Sequence, residues 1–229
     1  LSAYFIDITE VTAVEFKNCL DAGKCGEPGG DATCGPFSNW DAANQKAKSG
    51  RNQHPMNCVN WTEAQNFCKW RGAEVDPANA GKWDLPTEAQ WEMAARGDCE
   101  KNGSTAGNGA GCKAAMRTYP WGEQAPNCTY AVIFAGGYGC GAGTTAAVAS
   151  KAGVSPYGLH DLAGNLREWT RDVYSGSYYG SSPGIDPLNN TSGSFRVVRG
   201  SAFPDSAEEL RSSARSYNGP SGAFSFVGL

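Results

Sequence analysis

Nine cysteines and two histidines carry the most specific chemistry in this chain of 229 residues. The cysteines stand at positions 19, 25, 34, 58, 68, 99, 112, 128 and 140 with no C-x-x-C spacing, and His54 and His160 are too few to complete a zinc cluster with them. Dispersed cysteines of this kind suit disulfides in an oxidising compartment, so an extracytoplasmic location (secreted, periplasmic or on a cell surface) is expected. An odd count leaves one thiol free, bonded to another chain, or partnered outside the sequence. His54 lies in Gln53-His-Pro-Met56 and His160 beside Asp161, and each reads better as a satisfied structural histidine than as a ligand or an acid/base group. Serine and aspartate are plentiful, but no motif anchors a Ser/His/Asp triad.

The elements that must position these residues are short. Thirty glycines and a charged fraction of 18% favour turns and loops over long helices, which excludes coiled coils and helical bundles. A net charge of −4 without a Lys/Arg-rich run leaves no footprint for nucleic acid or an anionic membrane, and no apolar run is long enough to be a membrane span. Three segments carry helix-start grammar, a Thr followed three residues later by Glu or Gln: Thr12-Ala-Val-Glu15, Thr62-Glu-Ala-Gln65 and Thr87-Glu-Ala-Gln90. With the apolar spacing behind them they predict helices near 12–22, 62–72 and 87–96. Strand-like runs are Tyr4–Ile8, Met56–Trp61 and Phe195–Arg199, and Gly/Asn/Pro-rich stretches at 24–57 and 98–113 read as loops. No linker of low hydrophobicity divides the chain, so a single domain is expected.

The order of the longer motifs is more specific than any one of them. Ile8-Thr-Glu-Val-Thr12, Val59-Asn-Trp-Thr-Glu-Ala-Gln-Asn-Phe-Cys-Lys-Trp70, Leu85-Pro-Thr-Glu-Ala-Gln-Trp-Glu-Met-Ala-Ala-Arg-Gly97, Tyr119-Pro-Trp-Gly122, Pro156-Tyr-Gly-Leu-His-Asp-Leu-Ala-Gly-Asn-Leu-Arg-Glu-Trp-Thr170 and Arg196-Val-Val-Arg-Gly200 follow one another along nearly the whole chain. In content and order they resemble the formylglycine-generating enzyme (sulfatase-modifying factor) family. The resemblance implies a compact α+β domain related to C-type-lectin-like folds, with short helices, short antiparallel strands and a large irregular fraction. It also implies that both ends are shortened relative to the family pattern.

Family chemistry carries over only where the residues match. Members that oxidise a substrate cysteine to formylglycine bind copper through two cysteines after a Gly-Gly-Ser motif; the matching stretch here, Arg199-Gly-Ser-Ala-Phe-Pro-Asp-Ser-Ala-Glu-Glu-Leu-Arg211-Ser-Ser-Ala-Arg215, has none. The iron enzymes of the family take a three-histidine set from an additional domain, and the two histidines of this sequence do not supply that set. What the resemblance does imply is a structural calcium held by Asp161 and Glu168 side chains and by main-chain oxygens of Gly164 and Leu166, a donor set suited to a hard cation; the bland reading is that both acids merely cap turns. A second family calcium site would use Asn127 and Cys128, but Cys140 stands at its Asp position, so a Cys128–Cys140 disulfide is expected to replace that cation. Cys99 and Cys112 flank one loop and Cys25 and Cys34 another; bridges there would leave Cys19 with Cys58, with other pairings among these last four left open. Cys68 remains, matching a family cysteine that pairs beyond the point where this sequence stops.

With the copper cysteines missing, the resemblance turns the C-terminal segment into a ligand-facing surface presenting Phe203, Asp205, Glu208, Tyr217 and Asn218. The expected function is a non-catalytic binding or assembly module for a protein or glycan partner, or for self-association. The alternatives are a copper-dependent oxidase or other oxidoreductase of the family, a structural subunit of a surface assembly, and a ligand-binding variable protein of a diversity-generating retroelement, whose Asn-rich runs this chain lacks. The seven tryptophans read as core, with only an exposed one such as Trp40 a candidate carbohydrate platform. Tyr174, Tyr178 and Tyr179 sit in a Ser/Gly-rich loop suited to packing on a neighbour.

Overall fold

Helix α1 (Ala13–Asp21) starts at Thr12, whose hydroxyl accepts from Glu15 N while the Glu15 carboxylate accepts from Thr12 N at 2.9 Å. The same reciprocal cap, Thr87 with Gln90, opens α3 (Glu88–Arg96). Helix α2 (Trp61–Val75) is capped by Asn60, two residues before the cap expected at Thr62. Asn60 is as good a cap as threonine and has its own partner in Glu63, which extends the helix to include Trp61. In the last turn of α2, Gly72 leaves room for Trp83, whose ring a Cβ there would strike.

The computed structural model describes residues 1–29, 34–98 and 116–229. Its main sheet has the order β5-β4-β3-β6, with β3 at Arg167–Val173, β4 at Arg196–Arg199, β5 at Ser216–Asn218 and β6 at Val227–Gly228. β3 and β4 run antiparallel with Trp169 opposite Val198, and β5 continues with Tyr217 opposite Val197. The pairs β1–β2, β3–β4 and β4–β5 are the short antiparallel strands expected, and β6 adds a short parallel pairing beside β3. A small ribbon pairs β1 (Trp40–Asp41) with β2 (Lys46–Ala47). The central strand β3 escapes sequence reading because Trp169, Thr170, Asp172 and Val173 are all buried, which blurs the two-residue alternation. Two expected strands do not form. Met56–Trp61 is reduced to a bridge between Asn57 and Gly228 because Trp61 enters α2, and Tyr4–Ile8 runs extended, with His160 N donating to Ile8 O.

The largest core lies between α1, α2 and the sheet, where Phe16 stacks on Phe67 at 5.7 Å beside Trp40, Met56, Trp169, Val198 and Val227. Trp40 is fully buried and its indole N–H donates to Glu27, so it is no carbohydrate platform. The bridges Cys25–Cys34 and Cys19–Cys58 are replaced by Cys19–Cys25 and Cys34–Cys58. After α1 the N–H groups of Lys24 and Cys25 both turn back to Cys19 O, which brings Cys25 within a Cα distance of 5.4 Å of Cys19. Cys99 and Cys112 lie outside the described residues.

Helix α3 is fixed to the sheet by charge as well as by apolar packing. Arg199 on β4, with no exposed side-chain surface, pairs with Glu88 (3.3 Å) and Glu92 (2.6 Å), donates to Ser212 O, and lies over the Trp91 ring. Arg215, just before β5, donates to both Glu88 oxygens at 2.6 and 2.8 Å. Removing the shared acid strands two guanidinium groups near a buried site. Glu88→Gln is expected to cost about 3–5 kcal/mol in urea unfolding, whereas Lys17→Ala, which breaks the surface pair with Asp21, is expected to change stability by no more than about 0.5 kcal/mol.

Candidate functional site

The segment 161–168 is a turn pressed against Val132. Asp161 (φ +59°) and Asn165 (φ +64°) adopt left-handed backbone, and at Gly164 (φ +92°) a Cβ would meet Val132 O at 2.8 Å, so only glycine fits. Asn165 is the fully buried hub: its N–H donates to Val132 O, its carbonyl accepts from Phe203 N, and its side-chain amide reaches Ala146 and the carboxylate of Glu10. Glu10 also accepts from Leu166 N at 2.9 Å. The sequence marks Glu10 only as an acid within the first family-like motif; its role comes from 155 residues away and leaves no local signal.

Three acids therefore surround the turn. Asp161 accepts from Ala149 N at 2.6 Å and Glu168 from the Trp91 indole N–H at 2.9 Å. Burial pushes all three carboxyls up: Glu10 well above the ordinary range, with Asp161 and Glu168 adding repulsion; Asp161 above its usual value; and Glu168 up to about 7, the Asp161 charge adding to its desolvation. Among the described residues no Lys or Arg forms an ion pair with any of them. Nor do three acidic, histidine or cysteine side chains there converge into a ready-made metal cage. Buried carboxylate oxygens met by hydrogen-bond donors and, at Asp161, by the field of Lys151 fit a hard cation, which would have to draw on main-chain oxygens as well.

The neighbouring loop is closed covalently. Cys128 and Cys140 are bonded, Cys140 takes left-handed backbone (φ +60°), and its N–H donates to Ile133 O. Asn127, which the family pattern makes a ligand of a second cation, accepts from Thr129 N and caps its own turn. Cys68 is a free thiol whose titration is pushed upward by burial and then by Asp84 and Asp7, and it lines a cavity of about 430 Å³ under the N-terminal segment together with Tyr4, Arg71, Trp83 and Leu229. Such a thiol is a poor nucleophile and a poor soft-metal ligand.

The expected C-terminal surface divides. Phe203 is buried against Val132 and Leu166, with ring contacts to Phe37 and Tyr138, and is core rather than surface. Asp205 is also engaged within the fold: it accepts from Ala202 N and pairs with Arg167, which also pairs with Glu209. Glu208 is exposed. Tyr217 is 46% exposed on β5, and the Asn218 side-chain nitrogen is buried without a partner. The pairings among Phe195, Tyr217 and Tyr174, and of Arg215 over Tyr174 and Tyr179, bring the Ser/Gly-rich loop to the same edge.

Residues 1–229 match the sulfatase-modifying factor enzyme 1-like domain. The chain is 32% identical over 191 residues to the formylglycine-generating enzyme of Streptomyces coelicolor, covering 79% of this chain and 53% of that protein. It is 29% identical over 238 residues to the serine/threonine-protein kinase pkn1 of Chlamydia pneumoniae, covering all of this chain and 32% of that protein. The chain thus spans about half and about a third of these relatives. It is also 31% identical to the inactive C-alpha-formylglycine-generating enzyme 2 of Bos taurus over 166 residues, 68% of this chain and 40% of that protein. The fold is shared with PvdO from Pseudomonas aeruginosa (TM-score 0.70, 20% identity, 97% of this chain and 77% of that one) and with Treponema denticola variable protein 1 (TM-score 0.64, 22% identity, 96% and 80%).

The acid cluster gives a pH dependence with a definite sign. The folded chain holds the Glu168 proton more tightly than an unfolded chain, whose ordinary value is 4.5. In buffer stripped of divalent cations, stability is therefore full below that value and falls as pH rises through about 7. Urea midpoints at pH 5.5 and pH 8 are expected to show the lower stability at pH 8, with the difference reduced in Glu168→Gln.

Proposed function

We propose, from the premise that this chain belongs to the sulfatase-modifying factor family, that it is a non-catalytic, extracytoplasmic binding module that presents a rigid loop surface to a partner. The observation that carries this reading is the fate of the segment after Gly200. No cysteine follows Cys140 in the sequence. Asp205 is held in an ion pair with Arg167 and bonded to Ala202 N. The remaining free thiol among the described residues, Cys68, is half-buried, and its titration is pushed upward, away from the reactive thiolate. A relative whose name describes it as inactive, and a kinase-named protein in which similar sequence makes up about a third of the length, support use of this domain as a non-catalytic part.

Rigidity is what such a surface needs, because loops already ordered lose little freedom on binding. Two devices supply it. The Cys128–Cys140 bridge closes the Gly-rich loop covalently. Calcium, when bound, neutralises the buried anions and fixes the turn, with Asp161 and Glu168 contributing carboxylates and Gly164 and Leu166 main-chain oxygens. Glu10 holds that turn from behind through Leu166 N and Asn165. The disulfides support an oxidising compartment, and among the described residues no helix is long and apolar enough to cross a membrane.

Two measurements test this. Incubated with copper, oxygen and a cysteine-containing peptide, the protein is expected to leave the thiol unconverted; turnover to an aldehyde would overturn the reading. Calcium titrated into chelator-treated protein is expected to raise the melting temperature, more at pH 8 than at pH 5.5 because the carboxyls must be ionised to bind it. Asp161→Asn and Glu168→Gln are expected to abolish most of that rise, and an unchanged rise in both would remove calcium from this turn.

A further inference from the structure

The space under the N-terminal segment consists of two chambers that share a pair of opposite charges. The larger, about 430 Å³, has an apolar wall in which Phe67, Leu85, Leu159, Leu162 and Trp169 are each no more than 5% exposed. The smaller, about 230 Å³, lies between the same segment and α2. Asp7 from the segment and Arg71 from α2 line both chambers. The segment is held across them where the Tyr4 hydroxyl donates to Gln90 O at 2.7 Å, His160 N donates to Ile8 O, and Val11 N donates to Leu229 O.

The two charges at this junction are unspent. The Arg71 charge acts on the Asp7 carboxyl, yet among the described residues neither side chain makes an ion pair or a hydrogen bond. The other charged groups of the walls are committed within the fold. Asp84 pairs with Arg171 at 3.5 Å, Lys82 donates to Asn79, and Glu15 caps α1. Glu10 and Glu168 are engaged with the acid turn and the Trp91 indole. A lone anion set against Arg71 would also face Asp7, and a lone cation set against Asp7 would face Arg71, so the junction selects a ligand that carries both charges close together. A free α-amino acid carries both on one carbon. Its carboxylate accepts the parallel N–H bonds that a guanidinium offers, its ammonium donates to a carboxylate, and its side chain leaves the same carbon toward the chamber.

We propose that the Asp7–Arg71 junction and the larger chamber behind it bind a free α-amino acid with an apolar side chain. The chamber falls in the size range of small-ligand pockets, roughly 300–1,000 Å³, and shares their make-up of apolar walls with a few placed charges. The site stands apart from the C-terminal surface and does not depend on whether that surface binds a partner. The Cys68 thiol lines the same chamber and serves as its reporter.

L-phenylalanine is the probe, with 3-phenylpropanoate, phenethylamine and L-lysine as controls, and binding is read by calorimetry on the whole chain. L-phenylalanine is expected to bind, to raise the melting temperature, and to slow alkylation of Cys68 by N-ethylmaleimide, followed by mass on the peptide that carries it. 3-Phenylpropanoate lacks the ammonium and phenethylamine the carboxylate, and each is expected to bind at least about tenfold more weakly for want of one charge-assisted contact. Asp7→Asn and Arg71→Gln are expected to cause a similar loss with the melting temperature of the free protein unchanged, since neither group ties down another part of the fold. Absence of both heat and Cys68 protection in folded protein, equal binding of the two truncated analogues, undiminished binding in both variants, or a preference for L-lysine would each overturn the site. A chain that ignores amino acids and leaves a thiol peptide intact loses only this inference, whereas one that oxidises the peptide loses the module reading and leaves this site untouched.

Discussion

The rest of the structure leans on the pair formed by Glu88 and Arg199. Described helices of nine to fifteen residues and strands of two to seven residues leave few ladders with which to hold the loops. The pair joins the first turn of α3 to β4, and through Arg215 it reaches the approach to β5. It also leads to the acid turn by direct contacts: Arg199 covers Trp91, Trp91 donates to Glu168, and Gly200 brings the chain past the carbonyls of Leu162 and Leu166. A buried pair is weak as a source of net stability and strong as a specifier of arrangement, since every wrong arrangement leaves a charge unmet.

The local grammar was legible in the sequence and the long-range grammar was not. Thr12 and Thr87 announced two helix starts because a cap and its partner lie within four residues. The third start moved to Asn60 because two overlapping boxes compete in Asn60-Trp-Thr-Glu-Ala-Gln65, and local pattern alone does not rank them. β3 was missed because burial on both faces hides its period. The acidic turn was marked by its Asp, Gly and Glu; Glu10, which holds it from the other end of the chain, was not. Phe203 was placed on the surface by analogy with ligand-facing segments, and the structure uses it as the plug beneath that face.

The cysteines show the same division. The Cys19–Cys25 bond depends on how the chain turns after α1, a detail of two backbone hydrogen bonds that loop-closing arguments do not contain. Cys128 and Cys140 are joined across a Gly-rich loop whose backbone, with left-handed residues at 136, 137, 139, 140, 141 and 143, has little hydrogen-bonded order of its own beyond short turns. A covalent tie and a carboxylate cluster thus stand side by side, one fixing its loop unconditionally and the other responsive to protons.

The hydrogen bond from Val11 N to Leu229 O, with Glu10 reaching Leu166 and Asn165, sets a schedule for the chain's assembly. These contacts join its first dozen residues to its last third, so the Glu10 contacts wait until residue 166 has been made and the Val11 contact until residue 229 has been made. A topology dominated by such distant pairings belongs to the slow class of folders, because loop closure precedes the contacts that reward it. The short-range bridges Cys19–Cys25 and Cys128–Cys140 close loops of 6 and 12 residues and can be sealed while the ends are still apart. The bridges thus depend on neighbouring residues alone, whereas the acid turn depends on both ends of the chain.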